Sequence, residues 1–157
     1  MKLLFKQRFF SWFDSYDIYH EDGTVAFMIK GQLSWGHKLH ILTPDGRHVA
    51  IVKEELFRFL PTFRLYEFDR YIGCIRKKFT FFRNNYEIDF KGWQVDGNFL
   101  GWDYTVTTAQ GAPVARISKE IFNWTDTYVI DVVNPADGLH ALMFTLAIDA
   151  EKCSNNS

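Results

Sequence analysis

The sequence lacks the features that mark several large classes of protein. Its two cysteines, Cys74 and Cys153, are too few for a disulfide framework and are typical of reduced thiols in a cytosol. No apolar run reaches the ~18 residues of a membrane-spanning helix, and residues 1–6 lack the pattern of a secretory signal. The formal net charge is −1, so no overall field draws the chain to nucleic acid or lipid. We therefore expect a cytoplasmic protein that has no transmembrane segment and does not bind nucleic acid.

The local motifs of common enzyme and cofactor sites are also missing. The chain has no nucleophile elbow, no phosphate-cradling glycine loop and no calcium-binding hand. His37, His40 and His48 lie close together in the sequence, but a metal site needs three or four converging ligands, so we interpret them as surface histidines. We expect no catalytic residues, no cofactor and no metal site.

Aromatic and β-branched residues are abundant and come in short runs separated by turn residues. The chain contains 16 phenylalanines, whose rings fill a wide interior with few residues. Regularly spaced short strands are typical of a barrel or a sandwich. We predict strands at residues 17–20, 25–30, 38–42, 49–53, 63–68, 71–76, 86–90, 99–107, 114–118 and 128–133. We predict a loop at 31–36, and turns or kinks at 69–70, 84–85, 96–97, 110–111 and 125–126.

An internal repeat organises these strands. Residues 46–65 match residues 111–130 at a shift of 65 without a gap, and residues 49–65 match 72–88 at a shift of 23. A weaker copy starts at residue 25. Copying a strand pair is a common way for a sheet to close on itself. A small residue recurs in each copy and predicts a bend or a close approach to the helix described next. These small residues are Ala50, Gly73 and Ala115, with Ala26 and Gly101 as weaker candidates.

The last apolar stretch, residues 134–152, predicts a helix. Asn134 can cap it, Pro135 suits its first turn, and Asp137 places a carboxylate near the positive end of the helix dipole. The residues that follow are apolar on every side, which is typical of a helix that the rest of the protein surrounds. From Leu139 to Ala150, only His140, Thr145 and Asp149 interrupt the apolar run. We expect His140 to be a hydrogen-bonded histidine near the helix start.

A strand-repeat barrel that ends in an apolar helix resembles the tubby C-terminal fold. More specifically, the chain is similar to the LURP-one-related family in its small bacterial form, on residues 6–10, 16–19, 21–23, 31–36 and 131–149. The resemblance implies a mainly β fold: a closed antiparallel barrel of about twelve strands around a central hydrophobic C-terminal α-helix. We expect one domain at residues 1–153 and a loose tail at 154–157.

The resemblance also suggests a kind of function. Among the proteins with this fold, tubby domains bind phosphoinositide head groups and phospholipid scramblases act at membranes. The resemblance therefore implies a non-enzymatic binding module, with anionic membrane lipid as one candidate partner. The densest basic run is the candidate lipid or anion site, and its alternative is a solvated strand edge. That run consists of Arg76, Lys77 and Lys78, with Arg83 nearby. Residues 6–13 mix basic and aromatic side chains and form a second, weaker candidate surface.

A protein–protein interaction or regulatory scaffold module is the other function we consider. In that case, tryptophans in the predicted loops would be its anchors, because buried aromatic side chains dominate interface energetics. The candidates are Trp35, Trp93 and Trp124. Exposed rings such as Trp35, Trp93 and Trp102 could also stack nucleic-acid bases, but no basic groove lies beside them, so we do not expect nucleic-acid binding.

Overall fold

The fold is seen in a computed structural model that describes residues 1–6, 15–34, 36–79, 84–98, 102–122 and 125–155. These residues form twelve β-strands followed by a helical segment. The strands are β1 (Lys2–Lys6), β2 (Ser15–His20), β3 (Val25–Ser34), β4 (Gly36–Leu42), β5 (His48–Glu54), β6 (Thr62–Glu67), β7 (Arg70–Phe79), β8 (Asn84–Asp89), β9 (Gln94–Asn98), β10 (Asp103–Thr107), β11 (Pro113–Phe122) and β12 (Thr125–Val132). The helical segment is a 3-10 turn, Pro135–Asp137, that leads into α1 (Gly138–Asn155).

All twelve strands belong to one antiparallel sheet that curls into a nearly closed barrel. Except for β8 and β9, strands that follow each other along the chain are neighbours in the sheet, and β1 pairs with β12 to join the two halves. The edges of the sheet are β8 and β9, and no ladder joins these two strands among the residues that the structure describes. The predicted twelve-stranded antiparallel barrel is confirmed.

The helix α1 fills the barrel, as predicted. Residues 141–151 are all buried, although they cover every side of the helix. Asn134 caps the helical segment, since its side-chain oxygen accepts a hydrogen bond of 3.1 Å from the Ala136 N–H. Alternate residues of the surrounding strands point inward and complete the core. They include Leu3, Ile18, Ile29, Leu39, Ile41, Val52, Leu65, Ile75, Val106, Ile117 and Ile130.

The sequence repeat corresponds to a repeated β-bulge. In four strand pairs the ladder skips one residue near the start of the second strand, so two residues face one residue of the neighbouring strand. The skipped residues are Ala26, Val49, Ile72 and Val114, which are related by the same shifts of 23 and 65 residues as the repeats. The bulge lets consecutive residues such as Val49 and Ala50 both be buried.

The small residues of the repeat have different neighbours. The helix packs closely against β5 and β11, the strands that carry Ala50 and Ala115, as expected for a close approach to the helix. Gly73 differs from this expectation, because a side chain there would meet the backbone carbonyl of Asp89 on β8 and not the helix. Gly101 lies outside the described residues.

Several predicted turns are wrong because turn-forming residues lie inside strands. Of the predicted strand 99–107, residues 103–107 form β10 and residue 102 lies in a turn, whereas residues 99–101 lie outside the described part. The predicted turn at 96–97 belongs to β9. Gly97 is needed there because a Cβ atom would come within 2.5 Å of the Tyr104 Cα on β10. Likewise, the predicted loop 31–36 belongs mostly to β3 and β4, and the predicted turns at 84–85 and 125–126 begin β8 and β12.

Candidate functional site

Connections between strands alternate between the two ends of the barrel, because consecutive strands are antiparallel neighbours. The turns after β2, β4, β6, β8 and β10 lie at one end, where α1 begins. The connection between β5 and β6 lies at the opposite end, where α1 finishes. We call residues 55–61, which form that connection, the β5–β6 loop.

The β5–β6 loop presents two phenylalanines to solvent. The side chains of Phe57 and Phe59 are exposed at 93% and 97% of their full surface. Leu56 beside them and Leu33 at the end of β3 are also exposed, and Leu56 packs near Gly36 at the start of β4. Scattered exposed apolar residues are normal, but grouped ones mark an interaction site.

Hydrogen bonds at its base hold this loop in place. The Glu55 N–H donates to the Thr62 carbonyl at 2.9 Å, and the Thr62 hydroxyl donates to the Leu60 carbonyl at 3.2 Å. The Lys77 N–H donates to the Pro61 carbonyl at 3.0 Å and so joins the loop to β7. The exposed phenyl rings therefore project from an anchored segment that lies next to the predicted basic run.

The structure divides the predicted basic run between the two faces of the barrel wall. Arg76 and Lys78 are exposed on the outer face of β7. Lys77, between them, points inward and forms an ion pair with Glu151 of α1. Arg83 lies outside the described residues. Arg76 and Lys78 therefore belong to the outer surface beside the β5–β6 loop, and Lys77 holds the helix.

Cations outnumber carboxylates on the outer surface around the loop. Arg58 donates to Glu55 at 2.8 Å, and Arg64 pairs with the same carboxylate. Lys78 lies 3.9 Å from Glu87 of β8, which is also the residue directly across the ladder from Arg76. The Lys78–Glu87 pair is exposed on both sides and contributes little to stability, so Lys78 can meet an external anion at small cost. The cations around the loop are Arg58, Arg64, Arg76 and Lys78.

Beneath this surface, the end of the helix carries buried acids. Glu151 is only 2% exposed, and it accepts a hydrogen bond of 2.5 Å from the Tyr86 hydroxyl in addition to the Lys77 ion pair. Burial, together with this bond to a carboxylate, raises the pKa of Tyr86 well above its usual range. Burial also raises the pKa of Asp149 to about 7, against the opposing effect of Lys152.

The predicted histidines have different surroundings. His37 contacts Glu54 through Nδ1 at 2.6 Å, whereas His40 and His48 contact each other. The expectation for His140 is confirmed: its Nε2 lies 2.9 Å from Glu67 and its Nδ1 accepts from Lys91 at 3.2 Å. Within the described part of the chain, no group of three or more histidine, cysteine or acidic residues could hold a metal ion.

The tryptophans differ from what we predicted. Trp93 and Trp102 are buried at 5% and 7% exposure, so neither is an exposed anchor or stacking residue. Trp93 packs edge-on against Phe144 of the helix at 5.2 Å between ring centroids. Trp102 lies beneath the Lys152 ammonium, 3.9 Å from the ring centroid. Trp35 and Trp124 lie outside the described residues.

Sequence reasoning missed Phe57, Phe59 and their neighbour Arg58. In the repeat, residues 56 and 57 align with Ile121 and Phe122, and an aromatic connection between core strands is typical of packed residues. The available signal was Arg58 itself, since a basic residue between two phenylalanines is unusual for a core segment. Residues 7–13 of the second candidate surface lie outside the described residues.

The fold and this surface define a class: an antiparallel β-barrel filled by its own C-terminal helix, with an exposed basic and aromatic patch at one end. The model of the LURP-one-related family matches residues 1–149, and the chain therefore belongs to that family.

Two further proteins resemble the chain along nearly its whole length. The uncharacterized protein YxjI of Bacillus subtilis (strain 168) is 23% identical over 150 residues, which cover 95% of this chain and 92% of YxjI. The X-ray structure of a protein from Arabidopsis thaliana, AT5G01750, has the same fold, with a TM-score of 0.59 and 14% identity over 92% of this chain and 90% of that one. No helix within the described residues is long and apolar enough to cross a membrane.

Proposed function

We propose that the chain is a non-enzymatic, cytoplasmic binding module that docks onto anionic membrane surfaces. The docking surface consists of Leu33, the exposed part of the β5–β6 loop (residues 56–59), Arg76 and Lys78. The observation that carries the proposal is the pair of almost fully exposed phenylalanines on an anchored loop beside unburied cations.

An aromatic and basic surface matches the chemistry of a membrane interface. Phe57 and Phe59 can bury their rings at the boundary between head groups and acyl chains, at about 1.5–3 kcal/mol for each fully buried side chain. Cations near an anionic leaflet contribute about 1 kcal/mol each, which Arg58, Arg76 and Lys78 can supply. Neither contribution alone gives stable attachment, whereas the two together give reversible docking that depends on lipid charge.

The proposal assigns different roles to neighbouring lysines. Lys78 is exposed and available to head groups, and Lys77 is committed to Glu151 inside the barrel. A variant that removes Lys77 would therefore confuse loss of binding with loss of folding. The matched basic change is Arg76→Ala with Lys78→Ala, which leaves the inward ion pair intact.

Vesicle co-sedimentation tests the proposal. Vesicles of phosphatidylcholine, with and without phosphatidylserine or phosphoinositide, are compared at low and moderate salt. We expect binding only to anionic vesicles, a loss of at least tenfold in Phe57→Ala/Phe59→Ala, and a smaller, salt-dependent loss in Arg76→Ala/Lys78→Ala.

The control variant is Phe68→Ala. Phe68 is also exposed, but it lies in the β6–β7 turn at the opposite end of the barrel, so this variant should bind like the parent protein. Equal binding to neutral and anionic vesicles, or no binding at all, would contradict the proposal. In the second case the phenylalanine pair would become the first candidate for a protein-binding surface, because exposed aromatic and arginine clusters are typical interface anchors.

A further inference from the structure

His40 and His48 meet on the outer wall of the barrel, away from the docking surface. The two residues lie on the neighbouring strands β4 and β5, and the Nδ1 atom of His40 is 2.9 Å from the Nε2 atom of His48. Their ring centroids are 5.2 Å apart and the ring planes are inclined by 62°. The two rings therefore lie in direct hydrogen-bond contact on one face of the sheet.

A third strand fixes which nitrogen of His40 is available. The Gln32 side-chain oxygen on β3 lies 2.6 Å from the Nε2 atom of His40. This oxygen can only accept a hydrogen bond, so Nε2 carries the proton and Nδ1 presents its lone pair to His48. Histidines that bind metals are typically oriented in this way, by a hydrogen bond from the ring nitrogen that does not bind the ion.

We infer that His40 and His48 form a two-histidine site for a late first-row divalent metal ion, with Cu²⁺ preferred. Imidazole nitrogens bind Zn²⁺, Cu²⁺ and Ni²⁺, and the two rings are close enough to bind one ion once the hydrogen bond between them is broken. Cu²⁺ is the ion with the highest general affinity for nitrogen sites.

Metal binding replaces the hydrogen bond between the two rings. In the metal-free protein, the His48 Nε2–H donates to His40 Nδ1. Binding moves that proton to the other ring nitrogen of His48 and frees both lone pairs.

The site is expected to bind its ion reversibly. Within the described part of the chain no third histidine, cysteine or carboxylate completes the set, since His37 contacts Glu54. Water occupies the remaining coordination positions of the ion, as in sites that keep open positions. The inference does not depend on the proposed membrane docking, because none of its residues belongs to the docking surface.

Titration of the metal-free protein with copper sulfate, followed by calorimetry and by electron paramagnetic resonance, tests the inference. We expect one tight equivalent of Cu²⁺ whose spectrum shows coupling to two nitrogens, and weaker binding of Zn²⁺. His40→Gln and His48→Gln should each lower the affinity at least tenfold. Gln32→Leu should lower it roughly tenfold, because the ring loses its orienting partner.

His20→Gln and His37→Gln are the matched controls, because each removes one histidine and leaves the pair intact. Both should retain the tight equivalent and its spectrum. Cu²⁺ should also raise the unfolding temperature of the parent protein and of these controls, but not that of His48→Gln. A tight equivalent that persists in His40→Gln, or no tight equivalent in the parent protein, would overturn the inference and leave the pair as a hydrogen bond between two surface rings.

Discussion

The hydroxyl of Tyr86 donates a hydrogen bond of 2.5 Å to the carboxylate of Glu151, two residues that are 65 positions apart in the sequence. Tyr86 belongs to β8, an edge strand that forms a ladder only with β7 among the described residues. Glu151 is buried near the end of the central helix, where it also binds Lys77 of β7. The helix therefore holds the open edge of the barrel as well as filling its interior.

The two lysines next to each other on β7 should differ sharply when replaced. Lys77→Met leaves the buried Glu151 without its cation, and we expect the free energy of unfolding to fall by about 3–5 kcal/mol. Lys78→Met removes only an exposed pair at 3.9 Å and should cost less than about 1 kcal/mol. Urea denaturation of both variants measures the difference. Equal effects would show that Lys77 does not hold the helix.

The buried Asp149 should make stability depend on pH near neutrality. Its pKa rises from 3.8 in the unfolded chain to about 7 in the folded protein, so the folded protein binds the extra proton between these values. The protonated Asp149 therefore contributes stability that is fully present below about pH 4 and is lost as pH rises through about 7. This contribution to the free energy of unfolding is at most on the order of 4 kcal/mol.

Asp149→Asn removes this dependence, because an amide does not ionise. We expect thermal unfolding of this variant to change less between pH 5 and 8 than that of the parent protein, and its stability at pH 8 to equal or exceed that of the parent. Asp131→Asn, an exposed position on β12, is the control and should follow the parent curve. A steeper pH dependence in Asp149→Asn would contradict the role of this carboxyl group.

Enlarging the small residues where the helix approaches the wall should destabilise the protein. Ala50→Leu and Ala115→Leu add volume to fully packed positions on β5 and β11, and we expect a loss of about 1–3 kcal/mol each. Ala112→Leu in the exposed β10–β11 turn is the matched control, with little expected change. Melting temperatures that do not separate Ala50→Leu from Ala112→Leu would argue against close packing of helix and wall.

The sequence predicts the architecture well because the strand repeat and the spacing of apolar residues both show which positions are buried. The helix at residues 134–152 and most of the strands follow from apolar spacing, and the repeat shifts locate the bulges. The direction of Lys77 could not be predicted in the same way. Inward and outward positions alternate along a regular strand, and the bulge at Ile72 resets that alternation before Lys77 is reached.

The candidate sites could not be predicted from the sequence, because they depend on contacts between residues that are far apart in the chain. Tyr86 and Glu151 meet only because β8 lies beside the end of the helix, and no local pattern encodes that contact. Phe57 and Phe59 have the composition of core residues, and their exposure depends on how the hydrogen bonds at Pro61 and Thr62 anchor the loop. His40 and His48 were visible as a cluster, but their convergence required the register of β4 and β5.

The most direct test of membrane docking is the environment of Phe59 itself. An environment-sensitive fluorophore is attached at Phe59→Cys in a Cys74→Ala/Cys153→Ala background, with Phe68→Cys as the labelled control at the other end of the barrel. With anionic vesicles we predict a blue-shifted emission, quenched by brominated lipid, from the label at position 59 and not from the label at 68. Unchanged emission at position 59 in the presence of anionic vesicles would contradict the proposed function.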